Sequence, residues 1–410
     1  MRTGTTPSGL RYAVRRGGAA VGYCALTIRC GTRDETGFHG GIAHFTEHTM
    51  FRGTARKSAS VISGYLDRLG GELNAYTTKE EIVLHATVLK EDLGKAARLL
   101  FELATEATFP GGEIETERGV VLDEIISYKD NPYEDVYDKF EGQLFAGHPL
   151  GAPILGSAAS VKKITPEELR RFTAAHFTPE RMVLSLVADL DEATLERRAR
   201  KLAEKVFPGV AAPAEGTARE LFSPVAVPFS KTVDKRNHEV NAVIGAPAPS
   251  LYDESGRIVA AMLSNILGGS ASNSLLNKEL REKNGWVYNI ECTYTQYADT
   301  GVAAIAFGCD RSNLERCLAA IRCILDGLRE VPLSERRLAG YRKQLLGQIA
   351  IASDNGEAQC LSMGKSMLAW GRVDSSQETR TRLEAVTPED IRQMACRIFA
   401  PDRLSQLIYL

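Results

Sequence analysis

His44-Phe-Thr-Glu-His48, followed by Thr49-Met-Phe-Arg-Gly53, decides how this chain is organised. The run predicts a helix through His44 to Phe51 that stops at Gly53. On a helix His44 and His48 stand one turn apart on one face, and Glu47, three residues from His44, projects from that face too. Two imidazoles so placed can grip one zinc ion while a carboxylate sits beside a water molecule at the metal. The order is the mirror of H-E-x-x-H, and it belongs to the same group of zinc-hydrolase patterns. Histidine is scarce, seven in 410 residues, so the pattern is a rare one to meet by chance.

A catalytic zinc uses three protein ligands and leaves one position open. The third is sought among carboxylates that face a core, because burying one without a partner is costly. A helix from about Glu113 to Lys129 carries Ile114, Val121, Ile125 and Tyr128 as its apolar stripe. Glu117 and Glu124, two turns apart, lie within that stripe. Asp123 points to the other side. The stripe alone leaves two readings open: one of these glutamates meets zinc, or both pair with arginine or backbone groups.

With Glu117-Arg-Gly-Val-Val-Leu-Asp-Glu124 added to His44-Phe-Thr-Glu-His48, the chain resembles the pitrilysin-like inverzincin metallopeptidases, which include insulysin and the mitochondrial processing peptidase. In that family the third ligand follows the second histidine by about 76 residues, the spacing from His48 to Glu124, and an accessory glutamate stands seven residues earlier, as Glu117 does. Phe51-Arg-Gly-Thr54, His148-Pro-Leu-Gly151 and Leu280-Arg-Glu-Lys-Asn-Gly-Trp-Val-Tyr288 also resemble family text, so the likeness covers nearly the whole chain. It implies one Zn2+ per chain on His44, His48 and Glu124, with Glu47 as general base. It also implies that Arg281 and Tyr288 bind substrate carbonyls and steady the developing oxyanion. Asn74-Ala75-Tyr76-Thr77 resembles the edge strand along which family substrates add as a β-strand. Trp286-Val-Tyr-Asn289 departs from the family, which more often has small residues before the tyrosine.

Outside these motifs the elements run in a repeated order. Strand patterns cover Val21–Cys30, Glu72–Thr77 and Ile82–Leu89 in the first half. Ser58 or Ser60 is placed to cap a helix through Leu69, and Leu93, Ala96, Leu100 and Leu103 mark another helical face. In the second half Val240–Ala246, Ile290–Tyr297 and Val302–Gly308 read as strands, and Arg257–Leu267 and Leu314–Leu328 as helices. Setting Met50-Phe-Arg-Gly53 on Ile266-Leu-Gly-Gly269 puts His44, Glu47 and His48 on Ala260, Leu263 and Ser264, so the second half reads as a duplicate with no metal site. The expected division is a zinc-binding domain over 1–207, a linker over 208–222 where Pro, Gly and Ala concentrate, and a metal-free domain over 223–410. The expected fold class is α+β: two similar domains, each a largely antiparallel sheet with packed helices. By resemblance they form half of a clam-shell chamber.

The bulk composition fits this reading. The chain is 44% hydrophobic and 25% charged with a formal net charge of −2, a globular balance that gives nucleic acid or an anionic membrane no electrostatic hold. The N-terminus shows no secretory-signal pattern and no run is long and apolar enough to span a bilayer, so a cytoplasmic protein is expected. Eight cysteines without a CxxC pair are expected to be reduced thiols, with Cys317 and Cys323 as small core residues. His39, His85, His148, His176 and His238 show no ligand spacing. The chain carries both the zinc motif and the Arg281/Tyr288 pair. A homodimer in which the pair serves the other subunit's zinc is therefore the simplest assembly by resemblance, with a heterodimer as the other arrangement the family uses. The rivals to an endopeptidase acting on peptides or unfolded segments are a non-catalytic core-type subunit of the same fold and a peptide-binding module with structural zinc.

Overall fold

The computed structural model of the chain describes residues 1–18, 20–209 and 221–410. Most of the expected linker, residues 210–220, lies outside the described part. Two compact units emerge. The first contains Met1–Ile125, a stretch beginning at Ala152, and Ala350–Asp374; the second contains Ile126–Gly151, a stretch reaching Ile349, and Ser375–Leu410.

The first unit is built on a six-stranded sheet of β1 (Arg2–Thr5), β2 (Arg11–Arg16), β3 (Val21–Ile28), β4 (Glu72–Thr77), β5 (Ile82–Leu89) and β6 (Met182–Ala188). Their order is β1-β2-β6-β3-β5-β4, antiparallel throughout except for the β2–β6 pair. The second unit has β7 (Ser230–Val233), β8 (Val240–Ala248), β9 (Val287–Gln296), β10 (Gly301–Cys309) and β11 (Ser405–Tyr409), in the order β7-β11-β8-β10-β9 with only β7–β11 parallel. Without β1, the first order becomes the second when each strand is replaced by its counterpart. The duplication read from sequence is thus a repeat of sheet topology, and both units are α+β as expected.

Residues of β6 and β10 are buried from end to end. Strands of that kind lie inside two-sided sheets, where no face is left for polar residues. In the first unit one face carries helix Leu93–Glu106 and the metal-bearing elements described below. The other face receives helix Gly356–Trp370, whose Cys360, Met363, Met367 and Leu368 pack on Ala13, Ala25, Val183 and Val187. In the second unit helices Glu254–Gly268, Leu314–Glu330 and Pro388–Ile398 cover one face. Helix Pro132–Leu144 covers the other, with Val136, Phe140 and Leu144 against Val243, Val302 and Leu407. Each sheet is therefore closed by a helix from a remote part of the chain.

Local expectations hold except in two places. The helix expected to run on to Leu69 is interrupted: a single turn, Ala59–Ser63, ends at Gly64 and a 3-10 turn follows over Asp67–Leu69. Gly64 in the middle weakens the helix, and Ser58 makes no capping bond with its side chain. Cys323 is exposed and so is not the core residue expected, whereas Cys317 is buried; all eight cysteines are free. No helix among the described residues is long and apolar enough to cross a membrane.

Helix Gly356–Trp370 approaches its sheet through Gly364, where an added Cβ would stand 2.4 Å from Thr27 Oγ1 and 3.1 Å from Ser185 Oγ. Gly364→Val is expected to destabilise the protein by about 1–3 kcal/mol through overpacking. Gly119→Ala, with nothing within 4 Å of the new carbon, should be neutral or stabilising. Urea midpoints of the two variants check this, and equal midpoints would show that the helix does not rest on the sheet at Gly364.

Candidate metal centre

Helix Ile42–Met50 buries Ile42, Ala43, Phe45, Thr46, Thr49 and Met50. His44, also buried, and the part-exposed His48 stand one turn apart with their ring centroids 4.5 Å apart. Helix Gly111–Lys129 buries Ile114, Val121 and Ile125, which turns Glu117 and Glu124 toward the histidines. His44 Nε2 lies 3.6 Å and His48 Nε2 3.5 Å from Glu124 Oε2. These distances are too long for good hydrogen bonds. Donor atoms of a tetrahedral zinc at ligand distances near 2.1 Å sit about 3.4 Å apart. Glu124 Oε2 is buried and has no hydrogen-bond partner. An orphaned carboxylate oxygen facing two imidazole nitrogens fits a divalent cation, and among the described residues this is the one His/Cys/Asp/Glu group able to hold a metal.

Glu117 does not join that group. It is buried and accepts a bond from His48 Nδ1 at 2.8 Å, while its other oxygen pairs with the Arg52 guanidinium. A proton held on Nδ1 leaves His48 Nε2 free as a ligand atom. The two glutamates of the apolar stripe thus meet different fates: Glu117 has the arginine partner, and Glu124 faces the histidines. Asp123 is exposed on the opposite side.

Burial pushes the pKa of His44 down to about 3, helped by the neighbouring His48, so the imidazole stays in the neutral form that binds metal. Burial also works against charge on His48. The Glu117 bond and the charges of Glu47 and Glu124 outweigh it, and its pKa rises. For Glu117 burial works upward, but the His48 bond and Arg52 prevail and hold it below the usual carboxylate range. Glu47 is raised by burial, against a bond donated by Thr77 Oγ1 to its Oε2 at 2.8 Å. Glu47 is therefore a relatively basic carboxylate beside the histidines and Glu124.

Asn74 and Ala75 lie on β4, the edge strand of the first sheet, paired on one side with His85 and Leu84 of β5. The same strand ends at Thr77, so the edge and Glu47 are tied together. Arg281 and Tyr288 belong to the second unit. Arg281 sits in a π-helical segment, Asn277–Lys283, and Tyr288 is 57% exposed with its phenol donating to Asp310 at 2.8 Å. Ala260, Leu263 and Ser264, the counterparts of the zinc motif, are buried in that unit's core and offer no ligand set. Of the remaining histidines, His39 pairs with Glu168, His85 with Glu357 and His148 with the Phe222 carbonyl, while His176 meets Arg181. The roles of Arg52 and Thr77 were not read from sequence; both stand inside quoted family-like stretches, and that was their only signal.

Two histidines on one helix turn, a carboxylate from a second helix and a glutamate beside them, carried on a duplicated α+β fold, define a zinc-metallopeptidase class of protein. The comparisons with known proteins assign the family. Residues 13–158 match the insulinase family (peptidase family M16), and residues 163–345 match the peptidase M16 inactive domain. An uncharacterized zinc protease of Streptomyces coelicolor is 30% identical over 96% of this chain and 86% of its own length. The uncharacterized zinc protease YmxG of Bacillus subtilis is 30% identical over 93% of this chain and 91% of its own. The chain belongs to the M16 family of zinc proteases. Its fold is also that of a Helicobacter pylori protease, with a TM-score of 0.89 at 18% identity over 100% of this chain and 99% of that one. A peptidase M16 inactive domain from Pseudomonas fluorescens gives 0.89 at 19% identity over 100% and 97%.

Purified protein loaded with zinc is expected to hold about one ion per chain by elemental analysis, and Glu124→Ala or His44→Ala to hold none after dialysis. Glu117→Gln should still bind, about 10–100-fold more weakly, because it only orients a ligand. Stoichiometric zinc in Glu124→Ala would remove Glu124 from the ligand set.

Proposed function

We propose that the protein is a zinc-dependent endopeptidase that hydrolyses peptides or unfolded segments, with His44, His48 and Glu124 as the ligands of one zinc ion per chain. The observation that carries this reading is the buried, unpartnered Glu124 Oε2 facing both Nε2 atoms. Zinc, when bound, supplies Lewis acidity toward the scissile carbonyl and makes water a better nucleophile. Glu47 takes the proton from the attacking water and delivers it to the leaving amine. Its raised pKa suits both halves of that transfer, and Thr77 holds the carboxylate in place. Glu117 keeps the His48 ring oriented. The free edge of β4, at Asn74 and Ala75, receives the substrate as an added strand through main-chain bonds, which tolerates many sequences.

Arg281 and Tyr288 bind the substrate carbonyl and stabilise the oxyanion. In this reading residues 1–207 supply the zinc and residues 223–410 supply these two side chains. Two copies of the chain, working in the cytoplasm, enclose a chamber in which Arg281 and Tyr288 of one copy serve the zinc of the other. A heterodimer with a related chain is the alternative assembly. The closed chamber admits extended chains and excludes folded proteins by size.

Glu47→Gln should retain zinc and lose about 10²–10⁴-fold in kcat, measured on a quenched-fluorescence peptide library. Wild-type turnover by this variant would end the general-base role. Mixed dimers of Glu47→Gln with an Arg281→Ala/Tyr288→Phe double variant should recover part of the activity that each lacks alone. Complete inactivity of verified mixed dimers would count against sharing between copies.

A further inference from the structure

The helix that bears both histidines starts without a capping side chain of its own. Its N-cap is Gly41, at φ +89°, where an added Cβ would stand 2.7 Å from the Leu155 carbonyl oxygen. The usual remedy, a Ser, Thr, Asp or Asn at that position, is therefore closed off by packing. The counterpart helix in the second unit uses that remedy: Asp253 Oδ1 accepts the Gly256 N–H at 2.9 Å.

The metal-bearing helix is capped from a distance. Glu35, in the loop after β3, accepts the Gly41 N–H at Oε2 and the Ala43 N–H at Oε1, both at 2.9 Å. The side chain is buried. Burial pushes its pKa up to about 8, with the Ala43 and Gly41 donors and Lys79 pulling the other way. The two N–H groups it receives offset part of the cost of burying this carboxyl.

The loop that carries Glu35 is itself fixed to the end of β4. Thr32 N–H donates to the Thr78 carbonyl at 3.3 Å and Arg33 N–H to the Lys79 carbonyl at 2.9 Å, and the Arg33 side chain pairs with Glu80 at 2.8 Å. The neighbouring Thr77 returns to the helix through Glu47. These bonds form a closed circuit from the helix N-terminus, through Glu35 and two loops, back to the helix at Glu47. Glu124 and Glu117 come from a different helix, so their register with the histidines depends on where this circuit holds the first one.

We propose that Glu35 is a positioning residue of the metal centre: by receiving the Gly41 and Ala43 N–H groups it sets the axial position and rotation of helix Ile42–Met50, and with them the aim of His44 and His48 at Glu124. This rests on the reading that the cluster binds zinc.

The test uses metal-free full-length protein at pH 8.5: wild type, Glu35→Gln and Asp253→Ala. Zinc Kd is measured by competition with a chromophoric chelator, the cobalt-substituted absorption spectrum is recorded, and Tm is followed without metal. Glu35→Gln should weaken zinc about tenfold and shift the cobalt bands. Its kcat should fall about tenfold with KM changed less than twofold. Asp253→Ala, which uncaps the metal-free helix, should lower Tm and leave zinc Kd and the cobalt spectrum unchanged. A folded Glu35→Gln protein with wild-type Kd and spectrum overturns the proposal, as does an equal loss of affinity in Asp253→Ala. Should Glu35→Gln not fold, Glu35→Asp, too short to reach both N–H groups, is read the same way: weakened zinc supports the role and wild-type Kd ends it. Absence of zinc binding by the wild type would overturn the metal reading itself.

Discussion

Glu124 presents a buried, unpartnered oxygen to two imidazole nitrogens at 3.5 and 3.6 Å. That arrangement is unfavourable until a cation stands between the three groups, and much of the first unit serves to hold it. The Glu124 side chain is half-exposed as a whole, but the oxygen that faces the histidines is shielded from water and lacks a hydrogen-bond partner. Here the packing of Ile114, Val121 and Ile125 fixes the helix that carries it, and that of Phe45 and Met50 fixes the helix opposite. The favourable free energy of core burial thus maintains a set of donors that do not satisfy one another.

Around this centre the polar groups sort by what they hold. Arg52 neutralises Glu117, Glu117 fixes the His48 tautomer, and Thr77 holds Glu47. A half-buried ion pair such as Arg52–Glu117 adds little net stability after desolvation. Its value lies in orientation, since a ligand with a fixed tautomer meets a metal without reorganising. The second unit shows what the same topology becomes without this demand. Ala260, Leu263 and Ser264 fill the equivalent helix turn and the space is ordinary core.

The two sheets also share a mode of closure. A strand buried on both faces needs cover on both, and in each unit the second cover comes from a distant stretch of chain: Gly356–Trp370 for the first sheet, Pro132–Leu144 for the second. The compact units are therefore not contiguous in sequence, and the chain crosses between them several times. Each unit thus completes its own core with a segment drawn from the other half of the sequence.

From sequence alone, the features set by neighbours along the chain were legible. The strands Glu72–Thr77 and Ile82–Leu89 and the helices after Leu93 and Leu314 fall where periodicity placed them, because side-chain period and backbone geometry are coupled locally. The candidate ligands were legible for a similar reason, since imidazoles one turn apart on a helix share a face wherever that helix packs. The apolar stripe picks out Glu117 and Glu124 as core-facing without separating them; the motif resemblance separates them, giving Glu124 to the metal and Glu117 an accessory place, but it does not name Arg52 as the partner of Glu117. Only the folded chain decided that Arg52 pairs with Glu117, that Thr77 reaches Glu47, that Glu35 caps a helix with no cap of its own, and which remote helix covers each sheet. Those contacts join positions far apart in sequence through residue types common at any surface, so no periodicity or motif announces them. Burial and geometry, which exist only after folding, select them.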